Sequence, residues 1–288
     1  MASYMKIRLV FIIPGIILIQ GCEDYLDKTF DNNSPRKLVV EGAITTDTTA
    51  HTVVLSRSAD FFNKGPQLME TGALVSISDG DTTYLLTENE PGIYQTDSTV
   101  YGRTGKTYSL KIITAKDSVY TATEKITGLP DIDSIRAVYC KSIDFDLRKN
   151  VFGDSIYYYG YEPEGTGDYY LWNLYIDGKL QTDSIQKKVF ASDEFVDGNY
   201  IKDFGLFFIN EDELPSDTAN IEIEMLSISK NYYNFVVGLM LETYWRGSPF
   251  DGPPANAVSN ISNGALGYFR ASDRKTAAIT IIRKPEAK

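Results

Sequence analysis

One histidine, two cysteines and a surplus of carboxylates bound the chemistry available to this chain. Among its 288 residues the imidazole and thiol groups are those of His51, Cys22 and Cys140 alone. A His-rich or four-cysteine zinc site, a disulfide scaffold and any mechanism needing two histidines are excluded. A Ser-His-Asp relay would have to use His51, which opens a strand-like run in a chain without a nucleophile elbow; it reads as a surface histidine. Cys140 sits among strand residues with no histidine close in sequence, and reads as a small buried hydrophobe. No P-loop, dinucleotide glycine fingerprint or His-Glu-x-x-His occurs. The remaining acid–base candidates are the pairs Asp79/Asp81, Asp131/Asp133, Asp144/Asp146 and Glu222/Glu224. On a strand such a pair shares one face. None has the oxygen spacing of an EF-hand loop, and nothing marks a raised-pKa acid for glycoside cleavage. The sequence assigns no catalytic residue, no metal ligand and no cofactor.

Aromatic residues are the better candidates for binding. Tyr157, Tyr158, Tyr159, Tyr161, Tyr169, Tyr170, Trp172 and Tyr175 crowd into one stretch. Alternation puts Tyr157, Tyr159 and Tyr161 on one strand face and Tyr158 on the other. Flat apolar rings with polar tips suit stacking on sugars or gripping a partner, and they equally suit cross-strand packing. Tyr159, Tyr161 and Trp172 are the members assigned to binding. A second candidate surface is the Pro/Asn-rich segment Ser248–Gly264, whose Pro253-Pro254 is stiff and whose Asn256, Asn260 and Asn263 favour turns. Trp245, Phe250, Asn256 and Asn260 are its assigned contacts. The alternative role of this segment is to cover a sheet edge ahead of the last strand, Ala277–Ile282.

The elements that would position these residues are mostly strands. Short apolar-alternating runs at Leu38–Ile44, His51–Ser56, Leu74–Ser78, Thr82–Leu86, Gly92–Gln95, Thr107–Ile113 and Val119–Thr123 have the spacing of an immunoglobulin-like sandwich. After Gly128-Leu129-Pro130 the composition shifts toward tyrosine, with further strands at Ile135–Tyr139, Ser155–Tyr161, Asp168–Ile176 and Asn220–Ser227. Asp79-Gly80 and Asp177-Gly178 read as hairpin turns. One helix is predicted over residues 229–246, with Ser229 as N-cap and Tyr232, Phe235, Val236, Leu239 and Met240 at helical spacing. The expected fold is mainly β: two β-sandwich-like domains at 37–130 and 131–288, the second with one prominent α-helix.

The charge balance, 28 Lys and Arg against 39 Asp and Glu, makes nucleic acid a poor partner. The N-terminus is more informative. Lys6 and Arg8 precede Leu9–Ile19, an apolar run too short for a bilayer span of about 20 residues but suited to a secretory signal over 1–21. It ends in Leu18-Ile19-Gln20-Gly21-Cys22, which resembles a bacterial lipobox. That resemblance implies lipidation of Cys22 and a tether over 22–36, and two or more acyl chains anchor stably where one is marginal. Glu23, Asp24 and Asp27 follow at once. They resemble the export signal that sends lipoproteins of Bacteroidota-type bacteria to the outer face of the outer membrane.

Two wider resemblances follow. The order of alternating strand, Asp-Gly turn, strand, Gly92-Ile93-Tyr94 and Gly105-Lys106-Thr107-Tyr108-Ser109-Leu110 looks like the transthyretin-like or carboxypeptidase-regulatory-like sandwiches. Together with the lipobox, the helix at Ser229 and the tail Ser248-Pro249-Phe250-Asp251-Gly252-Pro253-Pro254, the chain from Cys22 onward resembles the Bacteroidota lipoprotein family called domain of unknown function 4249. The resemblance implies an outer-membrane lipoprotein that assists a TonB-dependent transporter in capturing an unknown nutrient ligand. A free-standing glycan- or protein-binding adhesin is the alternative, and a carboxylate hydrolase a more distant one. The resemblance implies no catalytic residues.

Overall fold

Alternation, not helical spacing, governs the chain after Arg36, and the computed structural model shows strands almost throughout. It describes residues 36–59, 65–144, 149–244 and 257–283, which fall within one compact unit running from Arg36. The expected signal segment 1–21, Cys22, Glu23, Asp24, Asp27, Trp245, Phe250 and Asn256 lie outside the described residues. The strands of the first part are β1 (Leu38–Thr45), β2 (Thr52–Arg57), β3 (Leu68–Met69), β4 (Leu74–Ser78), β5 (Thr83–Leu85), β6 (Thr87–Glu90), β7 (Ile93–Gln95), β8 (Thr107–Ile113) and β9 (Val119–Lys125). Then come β10 (Ile132–Asp144), β11 (Lys149–Tyr161), β12 (Tyr169–Ile176), β13 (Lys179–Leu180), β14 (Val189–Ser192), β15 (Tyr200–Asn210) and β16 (Thr218–Ile228). The helix α1 (Lys230–Tyr244), β17 (Leu266–Ser272) and β18 (Arg274–Ile282) complete the order.

Two sheets enclose the first core. One runs β17-β1-β2-β7-β6 with β3 on β2, and the other runs β5-β4-β8-β9. In β8, Tyr108, Leu110 and Ile112 point inward while Thr107, Ser109 and Lys111 face water. They meet Val40, Ile44, Val53 and Leu55 of the facing sheet. Stripping water from this apolar surface is the main source of stability, at roughly 25 cal/mol per Å². The core is not built from consecutive sequence. β17 lies parallel to β1, with Val39 opposite Leu266 and Thr45 opposite Ser272, and Ile261, Ala265, Phe269 and Ala271 complete the packing. The stretch after residue 131 therefore does not hold a single core.

The second core lies between the sheet β10-β11-β15 and the sheet β13-β12-β16-β18, with β14 on β12. Ile135, Ile156, Tyr158, Leu206 and Ile209 face Tyr170, Trp172, Leu174, Ile221, Ile223 and Met225 across it. The β12–β13 hairpin turns on Asp177 and Gly178, both at positive φ, as the Asp-Gly reading requires. On the outer face of β12 and β16, Leu171, Leu226 and Ile228 are covered by Phe190, Tyr232 and Tyr233. Helix α1 supplies the last two. Ser229 caps it, its Oγ accepting the N–H of Tyr232 at 3.1 Å. On its other side Phe235 and Tyr232 pack against Tyr268 of β17, at 5.1 and 5.0 Å between ring centroids, so α1 touches both halves of the fold.

His51 is not at the surface as expected. It is 4% exposed, its Nδ1 accepts the N–H of Thr45 at 3.4 Å and its Nε2 lies 3.2 Å from the carbonyl of Val100. Only the neutral ring protonated at Nε2 satisfies both partners. The flanking loops bury a residue that the strand pattern alone left outside.

Candidate functional site

Two turns rich in glycine and acid meet at one end of the second sandwich. Residues 162–168 join β11 to β12, and residues 193–199 join β14 to β15. Each ladder runs one step past its strands. The N–H of Glu162 donates to the carbonyl of Asn199 at 2.9 Å, and that of Asp193 to the carbonyl of Asp168 at 3.1 Å. These two bonds carry Glu162, Asp168 and Asp193 to the same place. Gly165 and Gly167, at φ of 126° and 117°, let the first turn fold back. The N–H of Gly167 then reaches Asp193 Oδ2 at 2.9 Å, and that of Gly165 reaches Asp197 Oδ1 at 2.7 Å.

The result is a buried knot of negative charge. One carboxylate oxygen from each of Glu162, Asp168 and Asp193 lies within 4.8 Å of the others. Glu162 is 1% exposed and Asp193 2%. Glu162 Oε1 accepts the hydroxyl of Tyr170 at 2.5 Å, but the buried Oε2 has no hydrogen-bond partner. Among the described residues no lysine or arginine forms an ion pair with any of the three. Like charges about 5 Å apart repel by roughly 3 kcal/mol per pair at an effective dielectric of about 20. Burial first, then the neighbouring carboxylates, raise Glu162 and Asp168 above the usual carboxylate range. Burial and the bond to Glu162 hold the Tyr170 hydroxyl protonated well beyond an ordinary phenol. The cover over Glu162 and Asp193 keeps a sugar or peptide from reaching them, whereas an ion needs only the oxygens.

The residues expected to bind are dispersed. Trp172 is 3% exposed and packs in the second core against Tyr158 and Tyr170, so it presents no surface to a ligand. Tyr159 is covered on the outer face of β11, its hydroxyl bonded to Asp203 and its ring 5.9 Å from the Arg136 guanidinium. Tyr161 is 57% exposed, with its ring 6.4 Å from that of Tyr200. Of the three, it alone offers a free face. Asn260 spends its amide on the backbone of Phe269, donating to the carbonyl at 2.8 Å and accepting the N–H at 3.0 Å. The N–H of Ser262 meanwhile donates to the carbonyl of Thr121 of β9 at 2.8 Å, and the Ser262 Oγ accepts the Thr121 N–H. Residues 260–262 thus bind the edges of both sheets of the first sandwich.

Three of the four carboxylate pairs read from sequence have at least one member engaged by turns or cations. Asp79 Oδ1 holds the N–H groups of Asp81 and Thr82, and Asp81 pairs with Lys106. Asp131 pairs with Lys275. Glu222 and Glu224 both meet Arg274, which also binds Asp47 at 2.8 Å. Glu224 further accepts from Asn173, whose Oδ1 takes Lys188 at 2.7 Å. Asp146 lies outside the described residues. Cys140, half-buried, faces Ser155 Oγ at 3.2 Å. Sequence reasoning missed Glu162, Asp168 and Asp193 because they share no short spacing. The available signal was a pair of acid- and glycine-bearing turns, Glu162-Pro163-Glu164-Gly165-Thr166-Gly167-Asp168, with an acid at each end, and Asp193-Glu194-Phe195-Val196-Asp197-Gly198-Asn199, which opens on two acids.

A cleft lined by Leu174, Ile176, Thr182, Phe207 and Phe208 encloses about 260 Å³. That is small beside the roughly 300–1,000 Å³ of typical small-molecule sites. No helix among the described residues is long and apolar enough to cross a membrane. A search of curated proteins finds no match. A family match covers residues 23–278, nearly all of the chain beyond the apolar N-terminal run. The chain belongs to the family described as domain of unknown function DUF4249.

Proposed function

We propose that this protein is a surface-exposed outer-membrane lipoprotein of Bacteroidota type, and that it serves a TonB-dependent transporter as an accessory that captures or admits a ligand. The observation that carries the reading is the run Leu18-Ile19-Gln20-Gly21-Cys22 with Glu23 and Asp24 directly behind it, set ahead of a folded unit that starts at Arg36. Acyl chains on Cys22 would anchor the body, and the intervening residues would let it reach a neighbour in the same membrane. A body built from two sheet-bounded cores, with a small cleft and Asp79, Asp81, Asp131, Glu222 and Glu224 engaged by cations or turns, suits recognition better than turnover. The first sandwich is of the transthyretin or carboxypeptidase-regulatory kind in this reading. Tyr161, Trp245 and Phe250 are the side chains to test at the partner surface, since a few aromatics often dominate an interface.

The test is fractionation and affinity capture from detergent-solubilised outer membrane. The wild-type protein should carry acyl mass on its N-terminal peptide and bring down a TonB-dependent transporter. Cys22→Ala should be soluble and capture none. Retention of acyl mass and membrane association by the alanine variant would refute the anchor. An anchored, surface-displayed wild type with no transporter bound would favour a free-standing adhesin.

A further inference from the structure

We infer that Glu162, Asp168 and Asp193 form a calcium site that ties the β11–β12 turn to the β14–β15 turn. Three independent features converge on it. The oxygens lie within 4.8 Å of one another, no wider than two opposite ligands on a calcium ion at about 2.4 Å each. Glu162 Oε2 is buried without a partner in a side chain that is 1% exposed, an arrangement that a buried carboxylate oxygen tolerates poorly unless something positive faces it. Among the described residues no lysine or arginine supplies that positive partner. The groups that reach these acids are the Tyr170 hydroxyl and the N–H of Gly167, and Asp197 adds a further negative charge to the field at Glu162 and Asp168.

The donor set decides which ion. Carboxylates alone, with no imidazole or thiolate, select a hard cation over zinc or copper. Magnesium demands a near-ideal octahedron at about 2.0–2.1 Å and keeps much of its water, whereas calcium accepts six to eight oxygens in irregular cages. Three acids from two turns, one of them on a half-buried Asp168, match the second habit. The ion would replace mutual repulsion by shared attraction and fix both turns against the ends of their sheets.

Thermal unfolding and isothermal titration of the purified full chain in detergent, first freed of metal with chelator, test this. Calcium chloride should bind once per chain. It should raise the unfolding midpoint by about 5 °C at a hundredfold excess over the dissociation constant. Glu162→Gln should abolish the shift while unfolding no lower than the chelated wild type, because it removes a repelling charge. If Glu162→Gln does not fold, Asp168→Asn carries the same expectation at a more accessible position. A wild type indifferent to calcium, a variant that keeps the full shift, or an equal response to magnesium chloride would each overturn the calcium site.

Discussion

The carboxylate of Asp273 accepts the backbone N–H of Leu129 at 3.0 Å across 144 residues of sequence. Leu129 lies in the passage between the two sandwiches, and Asp273 is the residue between β17 of the first and β18 of the second. Asp273 Oδ1 also takes the hydroxyl of Thr46 at 2.8 Å, and its own N–H donates to Ser227 Oγ at 2.8 Å. Ser227 in turn donates to the carbonyl of Thr127 at 2.7 Å. One residue therefore holds the three parts together, its side chain tying the first sandwich to the passage and its backbone N–H reaching the second sandwich. Asp273→Ala should cost roughly 2–3 kcal/mol, since hydrogen bonds to charged acceptors are worth about 1.5–3 kcal/mol each and this site is only half-buried. Urea unfolding followed by both near-ultraviolet absorbance and far-ultraviolet dichroism should show the single wild-type transition separating in the variant. A variant as stable and as cooperative as wild type would show that the junction is held elsewhere.

His51 should respond to pH in the direction set by its burial. Burial is the largest influence and lowers its pKa below the ordinary 6.5, outweighing the raising effects of the Val100 carbonyl and Asp47. The unfolded chain then binds the proton more readily than the folded one. Its contribution to stability is full above pH 6.5 and falls away as pH drops through that value toward the lowered one. Because the chain has one histidine, proton NMR of its ring reports a single titration. The midpoint should lie below that of the same ring in urea; a midpoint equal to or above it would contradict the buried neutral ring.

Asn260 and Trp172 should behave as structural residues. Asn260→Ala leaves both backbone groups of the buried Phe269 without their partners and should cost about 1–3 kcal/mol. Trp172→Phe should cost about 1–3 kcal/mol, the cavity it leaves in the second core being only partly offset by removal of an indole N–H that is buried without an acceptor. Calorimetry reads both. An Asn260→Ala variant of unchanged melting temperature would return that amide to the list of free surface groups.

Neutralising Glu23, Asp24 and Asp27 together should leave membrane association intact and slow cleavage by protease added to whole cells. Immunoblots of intact and lysed cells separate display from anchoring. Equal cleavage in both proteins would make these acids a solvated linker with no role in export.

The local half of the fold was legible because its signals are local. Thr107–Ile113 alternates and forms β8 without a residue's error, Asp177-Gly178 makes its turn, and Ser229 caps α1. β15 was not legible: its ladder with β11 slips twice, near Ile156 and near Tyr158, so apolar residues lose a steady period. Nor does any periodicity announce that Leu266–Ser272 lies beside β1. His51 was misplaced for the same reason, since Thr45 and Val100 bury it from outside its own strand. The acidic knot depends on two ladders arriving together, which spacing along the chain does not encode.

The parallel seating of β17 on β1 has a consequence for how the molecule is made. While the chain is still emerging, β1 has β2 on one flank and a bare row of amides and carbonyls on the other, and Val40 and Ile44 face a cavity where Phe269 belongs. Among the described residues it is β17, with Phe269, that fills it. The front half is thus not a self-sufficient product of early synthesis, and a message cut short after the helix would release a sticky half-sandwich with an open edge inviting another copy to pair with it. Quality control meets this protein as all or nothing: among the described residues, the free flank of β1 is covered by the last strand but one.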